Sequence, residues 1–328
     1  MSAPVTVAIP TRNGAGVLEQ TLAAVGKQQL QPPRSVELLV CDSGSRDGTV
    51  ALARSHGAEV IEIPPEAFSH GGTRNLMMQR SHGAHVAFLT QDAVPADNRW
   101  LARLLDGFGL RDDVALVFGP YLPRSDASPM VARELTEWFR RFSPDGSPRI
   151  DRLEVSERDV PARSLLGPRG FFTDANGAVA RAAWKSVPFR AVAYAEDHVL
   201  AHDMMRAGYA KAYIPDAAVI HSHEYSGWDW LRRSFDESRA VSEVYGFAPS
   251  LRLREIGLNL WGLVGADWRW SHACGRHLGP RESVALLAHS AYHHGLRSVG
   301  ALLGARANRL PDRAVMTLSL EARRKRGP

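Results

Sequence analysis

Val36-Glu37-Leu38-Leu39-Val40-Cys41-Asp42-Ser43-Gly44-Ser45 reads as a strand that ends in an acidic turn. A short, nearly continuous apolar run closed by a turn sequence is what a strand buried on both faces leaves behind. The surroundings repeat the theme. Val5-Thr6-Val7-Ala8-Ile9 alternates, is rich in β-branched residues, and is expected to stop at Pro10. Leu18, Leu22 and Val25 fall on one side of a helix over 16–27, and Asp47-Gly48-Thr49 opens a second helix that runs to about Ser55. Strands are expected over 59–63 and 85–90, with a helix over 73–81 between them. This βαβαβ rhythm predicts a parallel sheet with helices on its faces and a ligand site beyond the carboxyl ends of the strands.

After Asp92 the pattern changes. Helices are expected over 100–108 and 125–142, strands over 114–119 and 171–179, and over 143–168 a loop rich in Pro and Gly that either covers a site or is a disordered insertion. A short helix follows over 181–185. Residues 196–206 have helical spacing (Leu200, Met204) and stop at Gly208, and 211–214 and 218–221 look extended. From about Trp228 the chain reads as helical, over 230–245, 251–261 and 282–303. The expected organisation is an α/β domain over 1–227 and a C-terminal helical region with a basic tail over 228–328.

The chain has 328 residues, 45% hydrophobic and 23% charged, as an ordinary globular protein has. Two cysteines, Cys41 and Cys274, make no disulfide framework and fit a reducing cytoplasm. Met1–Ile9 has neither the basic nor the long apolar segment of a secretory signal, and no apolar run reaches the length of a membrane span. Net charge is +5, much of it arginine in the C-terminal third, ending in Arg323-Arg324-Lys325-Arg326. That tail is either a solvated end or a contact for an anionic membrane surface, and no nucleic-acid-binding motif accompanies it. Trp228, Trp230, Trp261, Trp268 and Trp270 read first as core packing and, alternatively, as membrane contacts.

Several short signatures carry chemistry. Asp42 at a strand end can accept from a base N–H or a ribose hydroxyl, or simply form a turn. His70-Gly71-Gly72-Thr73-Arg74-Asn75 opens a helix, where free N–H groups, close backbone approach and the Arg74 cation suit a nucleotide or diphosphate. Asp92 ends a strand and can bridge a hard cation to phosphate. His221 and His223 point the same way on a strand and can join Asp92 at a metal. Glu196 and Asp197 begin a helix; as neighbours they do not share a face, so at most one is a base toward an acceptor hydroxyl. His198 and His202 have i, i+4 spacing, but no third zinc ligand is evident.

At these residues the chain resembles the inverting family-2 nucleotide-sugar glycosyltransferases of the GT-A fold. Val7 to Asn13 is similar to their first strand and loop, and Val40 to Thr49 to their acidic Gly-Ser-Asp-Gly-Thr segment. A narrower likeness, to bacterial rhamnosyltransferases, lies in Phe68–Asn75, Leu89–Ala93, His221–Ser226 and Arg233–Asp236. The resemblance implies that Pro10, Thr11, Asn13 and Asp42 line the nucleotide, with Arg74, Gln91 and Asp92 toward the diphosphate and sugar. It implies Mg²⁺ or Mn²⁺ at Asp92, with His221 and His223 as further ligands, and Asp197, paired with Glu196, as base. Thr90 stands where the wider family has the first Asp of its Asp-x-Asp motif, which puts metal dependence in question. The implied activity is transfer of a sugar, L-rhamnose on the narrower likeness, from a nucleoside-diphosphate sugar to a glycan or lipid-linked acceptor in surface polysaccharide synthesis. The implied place is the cytoplasm or the inner membrane face. The alternative is a nucleotide-sugar-binding scaffold without turnover.

Overall fold

The computed structural model describes residues 4–31, 34–275 and 278–322; the basic tail from 323 lies outside them. In chain order the elements are β1 (Val5–Thr11), α1 (Ala15–Gly26), β2 (Val36–Asp42), α2 (Thr49–Ser55), β3 (Glu59–Glu62), α3 (His70–Arg80), β4 (His85–Leu89), β5 (Val94–Pro95) and α4 (Trp100–Phe108). There follow β6 (Val114–Phe118), β7 (Tyr121–Leu122), α5 (Pro129–Arg140), β8 (Arg149–Asp151), β9 (Asn176–Ala180), α6 (Arg181–Ser186), α7 (Glu196–Arg206), β10 (Ala210–Tyr213) and β11 (Val219–Ile220). The chain continues through α8 (Gly227–Tyr245), α9 (Leu253–Ala273), α10 (Pro280–Gly304) and α11 (Asp312–Leu318).

It folds as two units, Met1–Arg124 with Thr136–His221, and Ser125–Leu135 with Ser222–Pro328. The second unit thus begins at Ser222 rather than at 228, and it takes in a segment from the middle of the chain that no local pattern marks.

The first unit is built on an eight-stranded sheet in the order β3-β2-β1-β4-β9-β6-β10-β8. β1 pairs in parallel with β2 on one side and β4 on the other, and β2 with β3. The strand order therefore reverses between β1 and β4, where an open α/β sheet forms its crevice. Val5, Val7 and Ile9 pack with Leu18, Leu22 and Val25 of α1, as the periodicity predicts.

Pro10 does not end β1, which runs on to Thr11. β4 pairs only with Thr6 to Ala8, so beyond Ala8 β1 is paired on one side only and a missing N–H is tolerated. β9 starts at Asn176 rather than Phe171 and runs antiparallel to both neighbours, β4 and β6. Phe171 and Phe172 instead join an aromatic cluster with Phe118. The expected loop over 143–168 holds an edge strand, β8, antiparallel to β10. Three residues with charges at both ends are too short to show a period.

A second sheet of two-residue strands, β5-β11-β7, sits beyond the ends of the first. In it Ile220 pairs with Val94 and Val219 with Pro95.

The second unit is helical. In it Ala127, Val131 and Ala132 form a small core with Trp230 and Trp270 packed against it. The tryptophans divide: Trp230 and Trp270 are half-buried, whereas Trp228, Trp261 and Trp268 lie on the surface. Among the described residues no helix is long and apolar enough to cross a membrane.

Candidate active site

The site grows from the carboxyl ends of β1, β2 and β4. At the β1/β4 crevice the Thr11 hydroxyl donates to Gln91 Oε1 (2.7 Å), which also accepts from the Arg12 backbone N–H (3.0 Å). Gly14 passes so close to Gln91 that a Cβ there would lie 2.5 Å from the same oxygen. Asn13 takes a left-handed backbone (φ 47°), a conformation most residues avoid. Its N–H donates to Ser45 Oγ (2.7 Å) and its side-chain oxygen accepts from the Arg46 N–H (3.0 Å). The β1–α1 and β2–α2 loops are thereby clasped.

Asp42 is buried at the root of that clasp. Its carboxylate accepts from the Gly44 N–H (3.0 Å), the Ser45 N–H (2.8 Å) and the Ser45 hydroxyl. It builds the turn, which is one of the two roles its position suggests.

Asp92 and His221 are brought together by the small sheet. Continuing the β5/β11 register sets His221 opposite Ala93, beside Asp92. His221 Nδ1 lies 3.6 Å from Asp92 Oδ1. The separation is long for a hydrogen bond and suits two ligands of one cation, whose bonds of about 2.0–2.2 Å spread neighbouring donors to roughly 3 Å or more. Tyr121 meets the His221 ring edge-on at 5.0 Å, and Arg124 donates to the Asp92 carbonyl (2.8 Å). The Thr90 hydroxyl is buried without a hydrogen-bond partner, an orphan that a bound ligand would satisfy. These donors fit a divalent cation, and the imidazole favours a transition ion such as Mn²⁺ over Mg²⁺. His223 stands two residues further on, in the second unit, with its ring stacked at 5.4 Å on Tyr225.

The 70–75 motif does not face outward. Arg74 is buried, held by Asp174 (2.6 Å from Nη2) and by Glu196 (2.9 Å from Nη1). His70, one turn earlier on the same face of α3, lies 3.7 Å from the same Glu196 oxygen. Asn75 donates to the Phe189 carbonyl (2.8 Å) and accepts from Trp184 Nε1 (2.8 Å) and the Phe189 N–H (3.1 Å). Gly71 lets α3 pack so closely on the backbone of Arg190 that a Cβ would overlap its carbonyl oxygen. The motif therefore fastens α3 to the segment that leads into α7. Its cation neutralises protein carboxylates, and the sequence-based placing of Arg74 toward the diphosphate gives way to that internal role.

Asp174 is the residue the sequence did not reveal. It precedes β9, and because β9 is antiparallel its first residue, Asn176, lies beside Leu89 at the site end of β4. Asp174, Glu196 and Asp197 form an acidic cluster around one guanidinium. Burial pushes Asp174 up to about 7 against the pull of Arg74. Burial, then the Asp174 charge, also raises Asp197 above the ordinary carboxylate range. Asp197 accepts from the His198 N–H (2.8 Å), and Ala195 just before α7 has a left-handed backbone (φ 61°). Among the described residues only Asn13 and Ala195 do this without being glycine, and both border the site. The two ends of the site are joined by contact: Tyr121 packs on His221 and its hydroxyl bonds Thr173, next to Asp174.

A mostly parallel sheet with the antiparallel strand β9 inserted, and a crevice where the strand order reverses, is the GT-A architecture. Comparison with known proteins agrees. Residues 6–155 match the family Glycosyl transferase family 2. An O-antigen chain rhamnosyltransferase of Salmonella typhimurium is 32% identical over 235 residues, 71% of this chain and 70% of the relative. One of Salmonella anatum is 32% identical over 236 residues, 70% of each. A mannosyltransferase of Pyrobaculum calidifontis, solved with GDP-mannose and Mn²⁺, superposes with a TM-score of 0.58 at 19% identity, over 95% of this chain and 88% of that one. Residues 1–349 of TarS from S. aureus give 0.51 at 14%, over 93% and 91%. The chain belongs to glycosyl transferase family 2 and is a glycosyltransferase.

Proposed function

We propose that this glycosyltransferase moves L-rhamnose, with inversion, from a thymidine-diphosphate sugar to a hydroxyl of a lipid-linked glycan during surface polysaccharide synthesis. The relatives of the two Salmonella strains support the sugar and the setting. The observation that carries the catalytic reading is the Asp92–His221 pair at the carboxyl end of β4, next to the crevice where the strand order reverses.

In this reading Pro10, Thr11, Asn13 and Asp42 shape the wall that receives the nucleoside, and Gln91 fixes the crevice floor. Asp92 and His221 hold Mn²⁺ or Mg²⁺. When bound, the cation supplies positive charge to the leaving diphosphate. Asp197 receives the proton of the acceptor hydroxyl as its oxygen bonds to the anomeric carbon, and the nucleoside diphosphate departs with the electron pair of the broken C–O bond. Burial and the Asp174 charge raise the Asp197 pKa, which makes it a stronger base than an exposed aspartate. Glu196 is a positioning residue, bound to Arg74 and His70. The protein works in the cytoplasm, at an anionic inner membrane surface where a lipid-linked acceptor is presented.

The test is donor turnover. The purified protein is incubated with dTDP-L-rhamnose, GDP-mannose or UDP-N-acetylglucosamine and Mn²⁺, and nucleoside diphosphate release is followed by chromatography. Release from the thymidine donor above the other two is expected. Preference for either of the others would refute the sugar assignment, and release from none would favour a binding scaffold.

A further inference from the structure

The helix α9 is amphipathic in reverse. Its inward side carries Val264, Asp267 and Ser271, all nearly inaccessible to solvent. Asp267 accepts from Arg133 Nε (2.5 Å), Ser290 Oγ (2.5 Å) and His294 Nε2 (2.7 Å), so a polar network holds this side to α5 and α10. The outward side carries Leu258, Trp261 and Trp268, which are 63%, 75% and 39% exposed. At about 100° per residue these three fall within an arc of roughly 80°; the exposed Arg254 lies within it, at the start of the helix, and the exposed Arg269 borders it. Phe247 and Leu251, in the segment entering α9, are exposed as well.

Charge is divided just as unevenly. The second unit holds 17 Lys and Arg against 12 Asp and Glu, whereas the first holds 23 of each. That excess of five is Arg276 and the basic tail Arg323 to Arg326, which lie outside the described residues, so at α9 itself the cations are Arg254 and Arg269.

We propose that α9 lies flat in the headgroup region of an anionic membrane, with Leu258, Trp261 and Trp268 in the acyl boundary and Arg254 and Arg269 on lipid phosphates. Tryptophan prefers that depth, and arginine stems lie along apolar surface while their heads reach phosphate. At 21 residues the helix is long enough but not apolar enough to cross, so in this proposal it rests on the surface. A second copy fits less well. An antiparallel two-fold pairing along this stripe sets Arg254 against Arg269, and a parallel one sets each arginine against itself. The inference rests on the proposed function only for its purpose, which is to hold the enzyme where a lipid-linked acceptor is found.

The test is co-sedimentation of the full chain with phosphatidylcholine vesicles, with and without phosphatidylglycerol. Wild type is expected to bind the anionic vesicles and to lose binding at high salt. The double variant Trp261→Ser, Trp268→Ser is expected to bind on the order of tenfold less or weaker still, and the single variant Trp261→Ser, whose ring is 75% exposed, to bind less with unchanged thermal unfolding. Its donor hydrolysis in detergent-free buffer stays at the wild-type level. Removal of residues 323–328 is expected to weaken binding less than the double variant does. Equal binding by wild type and double variant, or no binding by wild type, overturns the proposal. So does a concentration-dependent dimer, seen by analytical ultracentrifugation, that the double variant abolishes. Absence of donor turnover, with vesicle binding as described, would count against the transferase reading alone.

Discussion

At the scale of single residues, the acid cluster separates chemistry from support. Asp197→Asn removes the base without changing shape, so kcat/KM is expected to fall about 10²–10⁴-fold while the variant still binds nucleoside diphosphate by calorimetry. Because burial and Asp174 raise its pKa, the acid limb of the wild-type kcat/KM profile lies above the ordinary aspartate value near 4, activity declining as pH falls through the raised pKa. A limb at or below pH 4 would assign the base elsewhere. Arg74→Gln should show the opposite pattern. Removing the guanidinium that Asp174 and Glu196 share leaves buried charge poorly compensated, a loss of about 3–5 kcal/mol in denaturant unfolding. Residues of this kind were half legible. Asp92, His221 and Asp197 stand out in sequence because strand ends and helix starts mark them. Asp174 gives no such mark, since its importance comes from the antiparallel direction of β9, and no periodicity encodes direction. The inward turn of Arg74 was equally hidden, because a Gly-Gly helix start reads alike whether it meets phosphate or a neighbouring backbone.

Among the elements, those with strong local patterns fall where the sequence puts them: α1, α2, β2, β4, α4, β6 and α7 are each within a few residues of expectation. The β1/β4 crevice follows from their order. What local pattern does not carry is pairing made through neighbours, such as β8, the antiparallel β9 and the two-residue strands that bring Asp92 to His221. The close seat of α3 belongs to this scale too. Gly71→Ala would push α3 off the Arg190 backbone, costing about 1–3 kcal/mol in thermal or denaturant unfolding. If the glycine instead served phosphate approach, stability would hold and nucleotide affinity would drop.

For the molecule as a whole, the sheet unit carries equal numbers of acidic and basic residues, and the basic excess of the sequence lies at Arg276 and in the tail from Arg323 to Arg326. Within the helical unit Glu134 is half-buried against Arg297, His293 and His294. Burial opposes its ionisation, yet His293, Arg297 and His294 hold its carboxyl down to about 2. A depressed folded pKa gives stability that is fully present above the ordinary glutamate value and is lost as pH falls from there toward 2. Glu134→Gln should therefore lower stability near neutral pH by on the order of 1–3 kcal/mol and flatten the acid side of the pH–stability curve, measured by urea unfolding. The arginine-rich end is visible in sequence, whereas the tryptophans of α9 read there first as core packing and only alternatively as membrane contacts, since a 3.6-residue period locates an apolar stripe without saying which side faces solvent. The central claim is that Asp92 and His221 hold the cation that receives a sugar nucleotide's diphosphate. Its most direct test is calorimetric titration of dTDP into wild type and Asp92→Ala, each with and without Mn²⁺. Binding that requires both Mn²⁺ and Asp92 is the predicted result; equal binding by the two proteins, with or without the metal, would contradict it.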